Sequence, residues 1–110
     1  MPLWKSGRML TIDYGAATED LYHRKPRGTL RAYLLQHRLE GPGIYENPGR
    51  QDLTADVNFT DLMDWSRPWT SAQSLTTFGG FLQRHVSGVD SALTDPEGAG
   101  GAFLVLEQRR

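Results

Sequence analysis

Gly7-Arg8-Met9-Leu10-Thr11-Ile12-Asp13-Tyr14-Gly15 is the stretch whose reading decides the fold. Met9, Leu10 and Ile12 form a short apolar run bounded by glycines. A run of that kind predicts a strand over 8–14, buried and covered on both faces. It ends in a carboxylate, an aromatic ring and a glycine. Ligands of open α/β sheets gather at that end of a strand. Asp13 is therefore the most informative single residue, with two readings open. It faces a ligand, or it caps the next turn or pairs with a nearby arginine.

Working outward, Thr18 is expected to cap a short helix through Tyr22, with Glu19 and Asp20 favourable in its first turn. Pro26 disfavours helix at Lys25 and opens a loop-rich region over 24–57. Within it, Leu30, Leu34 and Leu35 suggest helix from about Ala32 onward. Gly41-Pro42-Gly43-Ile44-Tyr45-Glu46-Asn47-Pro48-Gly49 stacks turn signals and reads as a long loop without regular structure. Asn58 is a good cap for a helix over 59–66, which must stop before Pro68. A strand over 69–76 follows. Thr77 then caps a helix over 78–86 that presents Phe78, Phe81, Leu82 and Val86 on one face. A polar, glycine-rich connection leads to a closing strand over 102–108. The order is that of an α/β fold, with too few strands for a complete doubly wound sheet.

Composition narrows the function classes. A chain of 110 residues allows one domain. The absence of cysteine excludes a disulfide scaffold, a thiolate metal site and a catalytic thiol, and fits a reducing, cytoplasmic setting. No apolar run approaches the roughly 20 residues of a membrane span. Met1-Pro2-Leu3-Trp4-Lys5 is too short and mixed for a signal peptide. The net charge of −1 is unevenly placed, with a basic first half and an acidic second half. Either the surface simply carries two differently charged regions, or the basic region meets an anion or an acidic partner.

Several familiar chemistries are absent. Gly98-Ala99-Gly100-Gly101 precedes a strand, whereas a phosphate-cradling turn follows a strand and opens a helix. His23, His37 and His85 are far apart and lack metal-ligand spacing, so no metal is expected. Asp61 and Asp64 read as a solvated helix face near its positive end. Asp52 and Asp56 lie before the cap and are more open to function. Arg24, Lys25, Arg27 and Arg31, with Tyr22 and Tyr33 beside them, could hold a single strand of nucleic acid by charge and stacking. A solvated surface or an intramolecular anion site is the simpler reading, and nucleic acid is a poor fit.

Three stretches together resemble one family: residues 7–15, then Gly28-Thr29-Leu30-Arg31-Ala32-Tyr33, then Gln51-Asp52-Leu53-Thr54-Ala55-Asp56-Val57-Asn58-Phe59-Thr60. In this order and spacing they resemble the C-terminal half of MidA-type S-adenosylmethionine-dependent methyltransferases, which include a complex I assembly factor that methylates a protein arginine. Pro96-Glu97-Gly98 before a closing strand that ends in Arg109-Arg110 agrees. Asp56 stands where that family usually has His, and Asn58 where Asp is common. Phe78-Gly79-Gly80 departs from a more polar, glutamine-containing segment.

The resemblance implies the C-terminal portion of a Rossmann-like class I methyltransferase sheet, incomplete on its own. Residues 7–14 would be its fifth strand, and the last two strands its sixth and antiparallel seventh. It implies S-adenosylmethionine as cofactor, held by a glycine-rich turn and an acidic residue with no counterpart in these residues, so the isolated chain is expected to be inactive. For an arginine acceptor, carboxylates orient the guanidinium by bidentate hydrogen bonds. Asp13, Asp52 and Asp56 are the catalytic candidates. Tyr14, Tyr33 and Phe59 are expected as packing walls, and Gly15, Thr29, Thr54 and Asn58 complete the implied substrate-binding set. The expected partner is a protein substrate, such as a complex I subunit, or the missing N-terminal half. The alternative is a non-enzymatic module or truncated remnant that completes a partner's sheet through the edge of strand 8–12.

Overall fold

The computed structural model describes residues 3–110. Met1 and Pro2, the start of the segment weighed above as a leader, lie outside the described residues.

The opening run forms strand β1 (Arg8–Ala16), which leads into helix α1 (Thr18–Arg24). The closing strand β7 (Phe103–Arg109) pairs antiparallel along nearly the whole of β1, from Arg8 opposite Arg109 to Tyr14 opposite Phe103. Its other edge takes strand β6 (Ala72–Thr77), again antiparallel. Strand β5 (Val57–Asn58) joins β1 in parallel at Gly15 and Ala16 alone. The sheet order is β5-β1-β7-β6. The last strand thus lies between two strands that run opposite to it.

Helix α2 (Phe59–Ser66) and helix α3 (Phe78–His85) cover opposite faces of this sheet. The period-2 alternation of β7 shows it. Gln108 donates to Ser66 Oγ of α2, while its neighbour Glu107 pairs with Arg84 of α3 at 3.6 Å. Val105 and Leu106, adjacent on β7, are both at 0% exposure. The strand covered on both faces is therefore β7. That corrects the expectation for β1, where Leu10 is 49% and Ile12 46% exposed. Position decides this: β7 has a neighbour on each side, whereas β1 along 8–14 has one.

The caps explain where the helices start. Asn58 Oδ1 accepts from Asp61 N at 3.2 Å, and Thr77 Oγ1 accepts from Gly80 N at 3.1 Å. Thr18 does not cap α1; Ala17 holds that position without a side-chain bond. Thr18 N instead donates to Thr60 Oγ1, and its hydroxyl donates to Asn58 Oδ1. These bonds tie the start of α1 to the start of α2.

The region 24–57 is a second, three-stranded sheet and not a loop followed by helix. Strand β2 (Arg31–Leu34) pairs antiparallel with β3 (His37–Leu39) and with β4 (Asp52–Thr54), in the order β3-β2-β4. The helical spacing of Leu30, Leu34 and Leu35 gives way because Leu35 and Gln36 turn the chain with positive φ, 47° and 68°. That two-residue turn makes a hairpin. The glycine-rich stretch after it is a 3₁₀ turn over Gly41–Tyr45, anchored by buried Ile44. Between α3 and β7 lie two one-turn helices, α4 (Ser91–Thr94) and α5 (Ala99–Ala102). No helix among the described residues is long and apolar enough to cross a membrane.

Candidate functional site

β1, β5 and the small sheet meet at the C-terminal end of β1. Gly15 is required there: a Cβ on it would stand 2.1 Å from Val57 O. The absent side chain lets β5 close on β1, and the chain leaving β4 reaches β5 through Ala55 and Asp56.

Asp56 becomes the centre of the polar cluster. Lys25 Nζ donates to its Oδ2 at 2.5 Å, and Arg31 Nη1 donates to its Oδ1 at 2.8 Å. Its backbone N–H donates to Thr29 Oγ1 at 3.1 Å. The carboxylate is 12% and the Arg31 side chain 11% exposed. Partial burial alone would push the Asp56 carboxyl upward. The hydrogen bonds and charges of Lys25 and Arg31 outweigh it and hold the group below the usual carboxylate range. Burial likewise opposes the charge on Arg31, but the hydrogen bonds to Asp56 and Tyr33 prevail and raise it.

Arg31 joins the two sheets. Its guanidinium carbon lies 5.3 Å from the centroid of the Tyr14 ring, a cation–π contact. Its Nη1 also donates to Thr29 O at 3.1 Å, and its Nε to the Tyr33 hydroxyl at 3.3 Å. The Tyr14 hydroxyl is hydrogen-bonded to that of Thr54, and its ring meets Phe103 edge-on at 5.7 Å. Together Tyr14, Gly15, Leu21, Arg24, Arg31 and Asp56 line a cavity of about 270 Å³.

The three candidate carboxylates do not converge. Asp13 Oδ1 accepts from Tyr14 N at 2.8 Å, a local bond, and Asp52 is exposed on β4 opposite Tyr33. Among the described residues no hydrogen bond joins Asp13, Asp52 and Asp56. Both oxygens of Asp56 are taken by this chain's own cations. Tyr14, Thr29, Tyr33 and Thr54 all touch the cluster, and Gly15 lines it. Phe59 is fully buried core and Asn58 is occupied as a cap. Lys25 and Arg31 were missing from the expected site set. Their signal was the basic cluster read as an intramolecular anion site, with Asp56 as the anion.

The family model described as "Putative S-adenosyl-L-methionine-dependent methyltransferase" matches residues 2–78. The chain belongs to that family. No curated protein matches it. A protein from Burkholderia thailandensis described as an uncharacterized ACR is similar in structure, with 24% identity and a TM-score of 0.75, over 96% of this chain and 33% of that one. A superfamily member from the same organism, bound to S-adenosyl-homocysteine, is similar at 23% identity and a TM-score of 0.73, over 94% of this chain and 32% of that one. The chain thus spans about a third of the length of these structures. Its sheet is a methyltransferase-like α/β fragment.

The family is described as S-adenosylmethionine-dependent, and the glycines before β7 do not form a cradle for that cofactor. The glycines before β7 have no open space: Cβ atoms on Gly100 and Gly101 would lie 2.5 Å and 1.9 Å from the backbone of Thr94 and Pro96. Those glycines serve close packing. At the end of β1, Val57 fills the approach to Gly15.

Proposed function

We propose that this chain is the C-terminal, acceptor-side portion of a MidA-type methyltransferase that modifies a protein side chain such as arginine. It is related to complex I assembly factors and works in the cytoplasm. The methyl donor is held by an N-terminal half outside these residues, so the isolated chain is inactive.

The observation that carries this reading is the cluster of Tyr14, Thr54, Arg31 and Asp56 at the C-terminal end of β1, where open α/β sheets receive ligands. Asp56 acts as a positioning residue: it fixes Arg31 over the Tyr14 ring. Tyr14 and Thr54 form one wall and exclude water from it. Asp52, exposed on β4 and without an ion pair among the described residues, is the carboxylate left to meet an incoming guanidinium. Positioning of this kind is the main contribution such residues make to a transfer reaction.

Titration calorimetry tests the division of labour. The isolated chain should take up no S-adenosylmethionine at micromolar concentration. The chain co-expressed with an upstream-encoded glycine-motif segment should bind it and label an arginine peptide. Micromolar binding by the isolated chain overturns the assignment of the donor site to another half.

The free edge of β1 over 8–14 favours a second reading, a module that completes a partner's sheet without catalysis. A partner captured along that edge with no gain of methyl transfer would select it.

A further inference from the structure

Two of the four cations in the basic cluster are spent on Asp56. Two are not: Arg24 and Arg27 have no ion-pair or hydrogen-bond partner among the described residues. Both are exposed, and both line a cavity of about 460 Å³ between the end of α1, the chain entering β2, and β3. Lys25 and Arg38 also line it, and Glu40 is the one carboxylate there. Arg38 is already paired with Glu40. The groove is therefore strongly positive, in a chain whose net charge is −1. It shares Arg24 and Lys25 with the cavity at Tyr14 and Asp56, so one opens beside the other.

We infer that this groove binds a carboxylate-rich polypeptide segment, the acidic flank of the protein acceptor. The inference rests on the protein-acceptor reading above and adds the substrate's charge class. Unpaired guanidinium groups suit carboxylates, which they hold through two parallel N–H donors. A single strand of nucleic acid would need flat rings on which to stack. Tyr22 and Tyr33 do not line the groove, and its wall includes Glu40, so a peptide fits better. Attraction of this type also steers encounter and sets register beside the site.

Fluorescence anisotropy on the 110-residue chain tests this without cofactor. The probes are fluorescein-labelled Gly/Ser peptides carrying four aspartates or four asparagines, and no arginine. Because methyl transfer is not read, failure here concerns the groove alone, whereas failure of the labelling assay concerns the enzymatic reading. The aspartate peptide should bind about tenfold tighter at low salt, the effect of two or three exposed ion pairs together. Added salt should erase the difference. R24E/R27E should abolish the preference. R24Q/R27Q, with the same thermal midpoint as wild type, should reduce it and guards against misfolding. Equal binding of the two peptides overturns the inference, as does a preference that survives R24Q/R27Q. Tighter binding of a dT oligonucleotide of matched charge would reassign the groove to nucleic acid.

Discussion

The two ends of β1 contrast sharply. At Gly15 and Ala16, just past the end of its pairing with β7, the strand takes β5 as its neighbour, and it carries the polar cluster of Tyr14, Arg31 and Asp56. Over Arg8 to Ile12 it has β7 on one side only, and Met9, Leu10 and Ile12 stay substantially exposed. Within one strand, the more apolar segment is the less buried. Apolar side chains are sheltered only where a neighbouring element exists to receive them, so hydropathy states a need and topology decides whether it is met.

The contrast breaks most visibly at Gly15. Gly15→Ala should cost about 3 kcal/mol, since its Cβ meets Val57 backbone that cannot move without opening β5. Chemical denaturation reads this directly. A loss below about 0.5 kcal/mol would mean that the closed end of β1 is not rigid.

Next comes Asp56. Asp56→Ala leaves Arg31 and Lys25 facing a void and should cost about 2 kcal/mol, below the full cost of breaking a wholly buried pair. The pH dependence follows from the lowered carboxyl. Asp56 ionises more readily folded than unfolded, so its contribution is fully present above the ordinary carboxyl value of about 4. It is lost as pH falls through the lower folded value. Asp56→Asn should flatten the acid limb of a stability–pH curve below about pH 4 and leave neutral pH behaviour flat. An unchanged acid limb would remove Asp56 from that role.

The caps should give smaller effects. Asn58→Ala and Thr77→Ala should each cost about 1 kcal/mol in thermal melts. Asn58 should be the larger, because its Oδ1 also accepts from Thr18. The smallest effect belongs to the open end of β1. Ile12→Lys should change stability by no more than about 0.5 kcal/mol, because the side chain is already half exposed. It should also lower self-association in sedimentation, as charge on an exposed edge does. A loss comparable to that at Gly15 would show that the two ends of β1 are equally buried in solution.

Legibility in the sequence followed the range of each interaction. Asn58 and Thr77 are readable as caps because a cap satisfies donors within three residues of itself. The family resemblance rested on contiguous stretches, and the family model covers them. The small sheet escaped reading because the leucines at 30, 34 and 35 fit a helix. What overrules them is a turn at Leu35–Gln36 and cross-strand partners as distant as Thr54 opposite Arg31. In the site, Tyr14, Thr29, Tyr33, Thr54 and Asp56 were legible as types, and Lys25 and Arg31 were visible as a cluster. Their pairing with Asp56 spans 31 and 25 residues, and no local pattern announces it.

The sequence by itself determined the α/β class, the caps at Asn58 and Thr77, the methyltransferase family and the surplus of cations before β2. Each of these is set by neighbours along the chain or by composition. Only the tertiary structure decided that β7 is the covered strand and that Asp56 is neutralised from within. It also decided that Gly15 admits β5 and that Arg24 and Arg27 are left facing a groove. Those outcomes depend on which distant segments lie side by side, and burial and charge pairing act across space, not along the chain.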